Sequence, residues 1–141
     1  MIKRTKIKKK STTTLAKMKS ELMELAKKYI KLRDGPTCWT CGEKGLTGAN
    51  FHGGHFIADS TGGVILRYDE HNIHPQCLRC NHFLSGNQAE YYIRMVKEYG
   101  QDFVDEMFRK KHQDITKWGI QDYRDRIDYY KDKIKELNGN N

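Results

Sequence analysis

Two Cys-x-x-Cys pairs, Cys38-Trp39-Thr40-Cys41 and Cys77-Leu78-Arg79-Cys80, account for all four cysteines of the chain. This arrangement restricts the fold more than any other feature. Disulfide staples belong to oxidising compartments, and Met1-Ile2-Lys3-Arg4 is not followed by the long apolar run of an export signal or a membrane span. A redox Cys-x-x-Cys needs only one pair beside a βαβ pattern, and no such pattern is present. Two pairs with Cys41 and Cys77 36 positions apart match a four-thiolate zinc site with a long insert between its halves. The reading is one structural Zn²⁺ held by Cys38, Cys41, Cys77 and Cys80. A four-thiolate zinc has no open position to activate water. Chemistry, if there is any, must come from what the zinc holds in place.

The 141 residues suffice for one domain with a modest core, and the net charge of +8 implies an anionic partner. The excess is local. Residues 1–33 hold twelve Lys/Arg and two Glu, whereas the rest holds fourteen basic and sixteen acidic residues. Residues 1–10 read as a basic disordered arm, with Lys8, Lys9 and Lys10 as contacts to nucleic acid. Ser11 to Thr14 offer helix caps, and Leu15, Met18, Leu22, Leu25, Tyr29 and Leu32 form one helical stripe over 11–34. Asp34-Gly35-Pro36 stops it.

The segment 35–100 reads as a zinc-organised core. Phe56-Ile57 and Val64 to Tyr68 are expected as two strands joined through 59–63, and Pro75 as the start of a helical turn carrying the second cysteine pair. Ser85 to Gln88 and Asn87 to Glu90 are overlapping capping boxes for a helix ending at Gly100. Residues 101–141 carry two more helices: one over 102–112 with Phe103, Val104, Met107 and Phe108 inward, the other starting near Thr116 or Ile120. Tyr91, Tyr92, Tyr99, Tyr123 and Tyr130 fall at helical spacing and read as core. Ile120, Tyr123, Ile127, Tyr130, Ile134 and Leu137 repeat at coiled-coil spacing, as does the stripe of the first helix. The two seams either bury each other in one chain or join two chains. The sharper expectation is a homodimer with two sites facing opposite strands of a substrate.

Between the cysteine pairs lie Phe51-His52-Gly53-Gly54-His55-Phe56-Ile57 and Asp69-Glu70-His71-Asn72-Ile73-His74-Pro75-Gln76. The order Cys-x-x-Cys, Gly54-His55, Asn72, Cys-x-x-Cys-Asn81 resembles the HNH endonucleases, the zinc-supported branch of the ββα-metal nucleases. It is closer still to the NinG/Rap family of phage recombination endonucleases. Leu66-Arg67-Tyr68-Asp69-Glu70, Asn72-Ile73-His74, Gln76-Cys77 and Leu84-Ser85-Gly86-Asn87 carry that likeness, over roughly residues 36–106. The resemblance implies an α+β, mainly helical chain whose zinc-supported ββα-metal (HNH) core is flanked by N- and C-terminal helices.

It also implies roles. His55 would be the general base, an imidazole that titrates near neutrality, and Asn72 would fix its orientation. Asn81 takes the position that binds the catalytic ion, Mg²⁺ or Mn²⁺. The family usually has Asp immediately before the base, and here that residue is Gly54. His52, two positions away on the same strand face, is expected to replace it. His74 could contact phosphate or join the metal shell, and Arg67, Arg79 and Arg94 suit phosphate. His71 and His82 read as surface histidines. The expected function is metal-dependent hydrolysis of DNA, branched recombination intermediates above all, in the cytoplasm of a bacterial host and with no membrane role. The alternatives are a non-catalytic zinc-ribbon DNA-binding module, for which Gly54 argues, and an HNH nuclease of phage genome packaging.

Overall fold

A computed structural model describes residues 6–139, with side chains from Thr14 onward. Helix α1 spans Lys6–Asp34. It starts inside the stretch expected to be a disordered arm, so Ser11 to Thr14 lie within the helix rather than at its cap. Residues 1–5, and the side chains of Lys8, Lys9 and Lys10, fall outside the described residues. The helix stops where Gly35 adopts a φ of 77° and its N–H bonds to the Lys31 carbonyl at 2.9 Å. This is the left-handed C-terminal turn that glycine takes without a Cβ penalty.

Two short strands, β1 (His52–His55) and β2 (Ile73–Gln76), form an antiparallel pair. His52 lies opposite Gln76, Gly53 opposite Pro75, Gly54 opposite His74 and His55 opposite Ile73. The strands are thus not those expected. Val64 to Arg67 lie in a short helix, α2 (Gly63–Arg67), and Phe56-Ile57 follow β1 rather than form a strand. A short apolar run does not by itself separate strand from helix. Buried Asn72 decides it: its Nδ2 donates to the carbonyls of Ile57 and Leu66, each at 2.9 Å, and its Oδ1 accepts from Ile57 N–H at 2.8 Å. Pro75 is likewise in β2 and not at a helix start. A two-stranded sheet has only edges, where a residue without N–H is tolerated.

After β2 a turn of π-helix, Arg79–Phe83, carries Cys80 and Asn81. Ser85, Gly86 and Asn87 then all take positive φ and lead into α3 (Gln88–Tyr99). Asn87 makes no side-chain cap bond. Its amide instead lies 3.5 Å from Cys80 Sγ, so the expected capping box is not formed. Gly100 ends α3 and α4 spans Gln101–Gln113, both as expected. Helix α5 spans Ile120–Gly139.

Three apolar clusters hold these pieces. In the first, Met18, Leu22, Ala26, Tyr29 and Ile30 of α1 pack on Tyr123, Ile127, Tyr130 and Ile134 of α5, with Ile73 of β2 among them. The two seams therefore close on each other within one chain, leaving Leu32, Ile120 and Leu137 exposed at the ends. The second cluster joins Phe56, Ile57 and Leu66 to Tyr91 and Met95 of α3 and Val104 and Met107 of α4. The third is the cysteine lobe, with Leu46 and partly buried Phe51. The hairpin lies against α1 closely enough that a Cβ on Gly53 would stand 2.8 Å from Lys27 Cγ. The result is an α+β chain, mainly helical, with one small sheet between its helices.

Candidate metal centre and histidine site

The four cysteine sulfurs lie within 4.8 Å of one another. Cys41 and Cys77 Sγ are 3.7 Å apart, close to the ~3.8 Å that a tetrahedron with Zn–S of about 2.3 Å demands. All four thiols are free, and three are buried. This donor set could hold a zinc ion. Its surroundings donate to sulfur: Thr40 Oγ1 is 3.4 Å from Cys38 Sγ, the Asn87 amide donates to Cys80 Sγ, and the Cys80 N–H points at Cys77 Sγ at 3.4 Å. Burial pushes the Cys38 thiol up, but the Thr40 hydroxyl and backbone N–H groups outweigh it and hold the thiol at about 6. Hydrogen bonds to sulfur favour thiolate, the metal-binding form. The lobe is tied to the sheet by Trp39 N–H, which donates to the Pro75 carbonyl at 2.8 Å.

His55 ends β1 and is half-buried. Its Nε2 stands 2.8 Å from the Arg67 carbonyl. A carbonyl only accepts, so Nε2 carries the hydrogen and Nδ1 keeps its lone pair. Burial lowers the His55 pKa below its usual 6.5, which keeps the ring neutral at pH 7. Asn72 does not bond to this ring. It holds the backbone at Leu66, next to the Arg67 carbonyl that His55 bonds to.

His52 and Asn81 meet as the sequence suggests: Asn81 Nδ2 lies 3.1 Å from His52 Nδ1, while His52 Nε2 lies 2.7 Å from the Ala49 carbonyl. By the same logic Nε2–H donates to Ala49, and Nδ1 is the free acceptor that takes the Asn81 hydrogen. Gly54 is the third member of this corner. A Cβ there would stand 1.9 Å from Gln76 Oε1 and 2.9 Å from Asn81 Oδ1. Among the described residues no hydrogen bond joins the His55 ring to the His52–Asn81 pair.

His74 is not at the surface. It is 1 % exposed, stacked on Trp39 with ring centroids 3.7 Å apart, and both its nitrogens are used. Tyr91 donates its hydroxyl hydrogen to the Gly54 carbonyl at 2.7 Å, so it accepts from His74 Nδ1–H at 3.0 Å. Tyr99 OH then donates to His74 Nε2 at 2.8 Å. Burial, helped by the charges of Arg33, His71 and Arg94, lowers the His74 pKa to about 2. The expected phosphate or metal contact is corrected to a neutral histidine inside the core.

The expected phosphate contacts are scattered. Arg67 pairs with Asp59 at 2.7 Å. Arg79 is exposed beside the Cys41 thiol. Arg94 lies over the Trp39 ring at 4.6 Å. His71 bonds to Asp69 at 3.0 Å, and His82 is exposed.

Two residues escaped the sequence reading. Arg33 donates to the carbonyls of Glu70 at 2.8 Å and Ile73 at 3.2 Å, clamping α1 to β2. Gln76 is fully buried and donates from Nε2 to Thr40 Oγ1 at 3.1 Å and to the Gly86 carbonyl at 2.9 Å. The available signal was a polar residue beside a cysteine of the cluster inside an otherwise buried strand.

No helix among the described residues is long and apolar enough to cross a membrane. Residues 2–140 match the family model described as the Bacteriophage Lambda NinG protein. The chain is 34% identical over 110 residues to "Protein ninG" of Escherichia phage 933W, covering 77% of this chain and 52% of that protein. It is 33% identical over 110 residues to that of Escherichia phage lambda and 33% over 112 residues to that of Salmonella phage P22, with the same coverage. The chain thus spans about half the length of the curated relatives it matches. No solved structure matches it. A model match over nearly the whole chain, together with these identities, makes it a member of the NinG family of bacteriophage proteins.

Proposed function

We propose that this chain is a metal-dependent DNA endonuclease of the HNH type. The observation that carries the reading is the placement of His55: Nε2 bound to the Arg67 carbonyl and Nδ1 without a partner among the described residues, in a buried setting that favours the neutral ring. That is the arrangement a general base requires. Support comes from the order of parts around it, a two-stranded hairpin followed by a helical turn in which Asn81 sits one residue beyond a zinc-site cysteine.

In this reading His55 Nδ1 takes a proton from water as the water oxygen attacks the scissile phosphorus. The bond to the 3′ oxygen breaks, that oxygen takes a proton from bulk water, and His55 later returns its proton to solvent, leaving a 5′-phosphate and a 3′-hydroxyl. Asn81 and His52 would hold a divalent ion, Mg²⁺ or Mn²⁺, that neutralises charge on the phosphate and leaving oxygen. The donors fit such an ion once His52 Nδ1 exchanges the Asn81 N–H it accepts for the metal, since a carboxamide oxygen and an unprotonated imidazole nitrogen are both ligands. Imidazole tilts the choice toward Mn²⁺. The zinc site is closed and takes no part in the chemistry. The basic N-terminal quarter, residues 1–33, supplies the attraction to DNA, branched recombination intermediates being the preferred substrate class.

Cleavage of supercoiled, linear, nicked, flapped and four-way DNA with added Mg²⁺ or Mn²⁺ tests this. Expected are metal-dependent nicks and their loss in His55→Ala at unchanged zinc content. Tight binding of DNA without a cut under any ion would instead support a zinc-organised DNA-binding module.

A further inference from the structure

Gln76 Oε1 is fully buried and has no hydrogen-bond partner among the described residues. Such an atom loses its hydration with nothing in return, a cost of about 1–3 kcal/mol, and native structures rarely carry one without a reason. The amide cannot relieve it by flipping. Both Nε2 hydrogens are committed, one to Thr40 Oγ1 and one to the Gly86 carbonyl. A flip would set Oε1 against that carbonyl, oxygen to oxygen. Thr40 Oγ1 meets Cys38 Sγ on its other side. The zinc lobe therefore aims this oxygen.

It aims at Gly54. The point a Gly54 Cβ would occupy is 1.9 Å from Gln76 Oε1 and 2.9 Å from Asn81 Oδ1, so two carboxamide oxygens converge where a side chain at 54 would begin. His52, whose Nδ1 bears no hydrogen, joins the corner through Asn81 and faces Gln76 across the sheet.

Resting on the endonuclease reading above, we propose that Gln76 Oε1 is a ligand of the divalent ion held by Asn81 and His52. It supplies from β2 the oxygen that a side chain at position 54 on β1 cannot. Glycine at 54 is then required, because any Cβ would displace that oxygen. The set contains two carboxamides, one imidazole and no carboxylate. A site without charge binds Mg²⁺ poorly, since Mg²⁺ relies on carboxylates and phosphates. It favours Mn²⁺ and other ions that accept imidazole.

The test is Mn²⁺ binding to the zinc-loaded chain, followed by the loss of the free-Mn²⁺ paramagnetic signal up to millimolar ion, with zinc content as the check on folding. Gln76→Ala and Gly54→Ala attack the same oxygen from opposite sides, by deletion and by displacement. Each should weaken Mn²⁺ binding about tenfold or more, the scale on which metal-site partners act. The pair Gly54→Asp with Gln76→Ala should recover binding and admit Mg²⁺. Parental Mn²⁺ affinity in both single variants, with Asn81→Ala defective, would remove Gln76 from the site and leave the endonuclease reading standing. Parental affinity in Asn81→Ala as well would overturn both.

Discussion

Tyr91 on α3 donates its hydroxyl hydrogen to the carbonyl of Gly54 on β1, 2.7 Å away and 37 residues distant in sequence. The bond locks the strand that carries His52, Gly54 and His55 to the helix behind it. Its donor oxygen is held in turn by His74, and His74 by Tyr99. The candidate site thus rests on a polar chain whose inner members, Tyr91 and His74, are buried.

Removing the first link tests this. Tyr91→Phe leaves the buried His74 Nδ1–H unsatisfied, at about 1–3 kcal/mol, and takes from the Gly54 carbonyl its side-chain donor. Denaturant unfolding should show a lower midpoint with an unchanged slope, at full zinc content. A midpoint equal to the parent's would mean water reaches both groups.

The same chain makes stability pH-dependent. His74 titrates at about 2 in the fold and near 6.5 when unfolded. A histidine with a depressed folded pKa contributes stability that is complete above 6.5. That contribution is lost as pH falls, because only the unfolded chain takes up the proton. Between pH 6.5 and 5 the loss approaches ~1.4 kcal/mol per unit. His74→Gln should flatten this part of the profile relative to the parent. Parallel profiles would show that His74 stays protonatable in the folded chain.

Activity should follow His55. Burial holds its pKa below 6.5, so the base is unprotonated at neutral pH and kcat/KM should fall only as pH drops beneath that value. His55→Ala should lower the rate about 10²–10⁴-fold. A rate within threefold of the parent would dismiss His55 as the base. His74 is not its replacement, since both its nitrogens are occupied.

Asn72→Ala separates positioning from chemistry. It strips partners from Ile57 N–H and from the carbonyls of Ile57 and Leu66. A cost of about 1–3 kcal/mol per stranded group is expected, together with a drop in kcat and little change in KM. A fall in activity without any loss of stability would instead point to direct contact with substrate.

Chelating the zinc-site ion should unfold the lobe, because metal binding in so small a unit is folding free energy. Elemental analysis should return one zinc per chain, and circular dichroism should report the loss after chelation. A fold that survives with all metal removed would mean that Leu46 and Phe51 suffice to pack the lobe.

Much of the architecture was written locally. The cysteine spacing was enough to gather four sulfurs, because Cys-x-x-Cys closes a metal loop on its own. The stripes of α1 and α5 and the Gly100 boundary follow from helical periodicity and glycine stereochemistry, both properties of a few neighbouring residues. His52 could be set beside Gly54 because a strand repeats every two residues, whereas Asn81 came from the family resemblance. The hairpin itself was not legible. Val64 to Arg67 are as apolar as a strand, and what holds them as a helical turn is Asn72, which from outside the segment bonds to the Leu66 carbonyl within it and to the Ile57 carbonyl before it. His74 could not be told from a surface ligand until Trp39, Tyr91 and Tyr99 closed over it. Gln76 gained its meaning only beside Gly54, since the absence of a side chain on one strand matters through what the other strand places there. Local propensity acts through the chain's own neighbours; burial, tautomer and an orphaned oxygen depend on residues that only folding brings near.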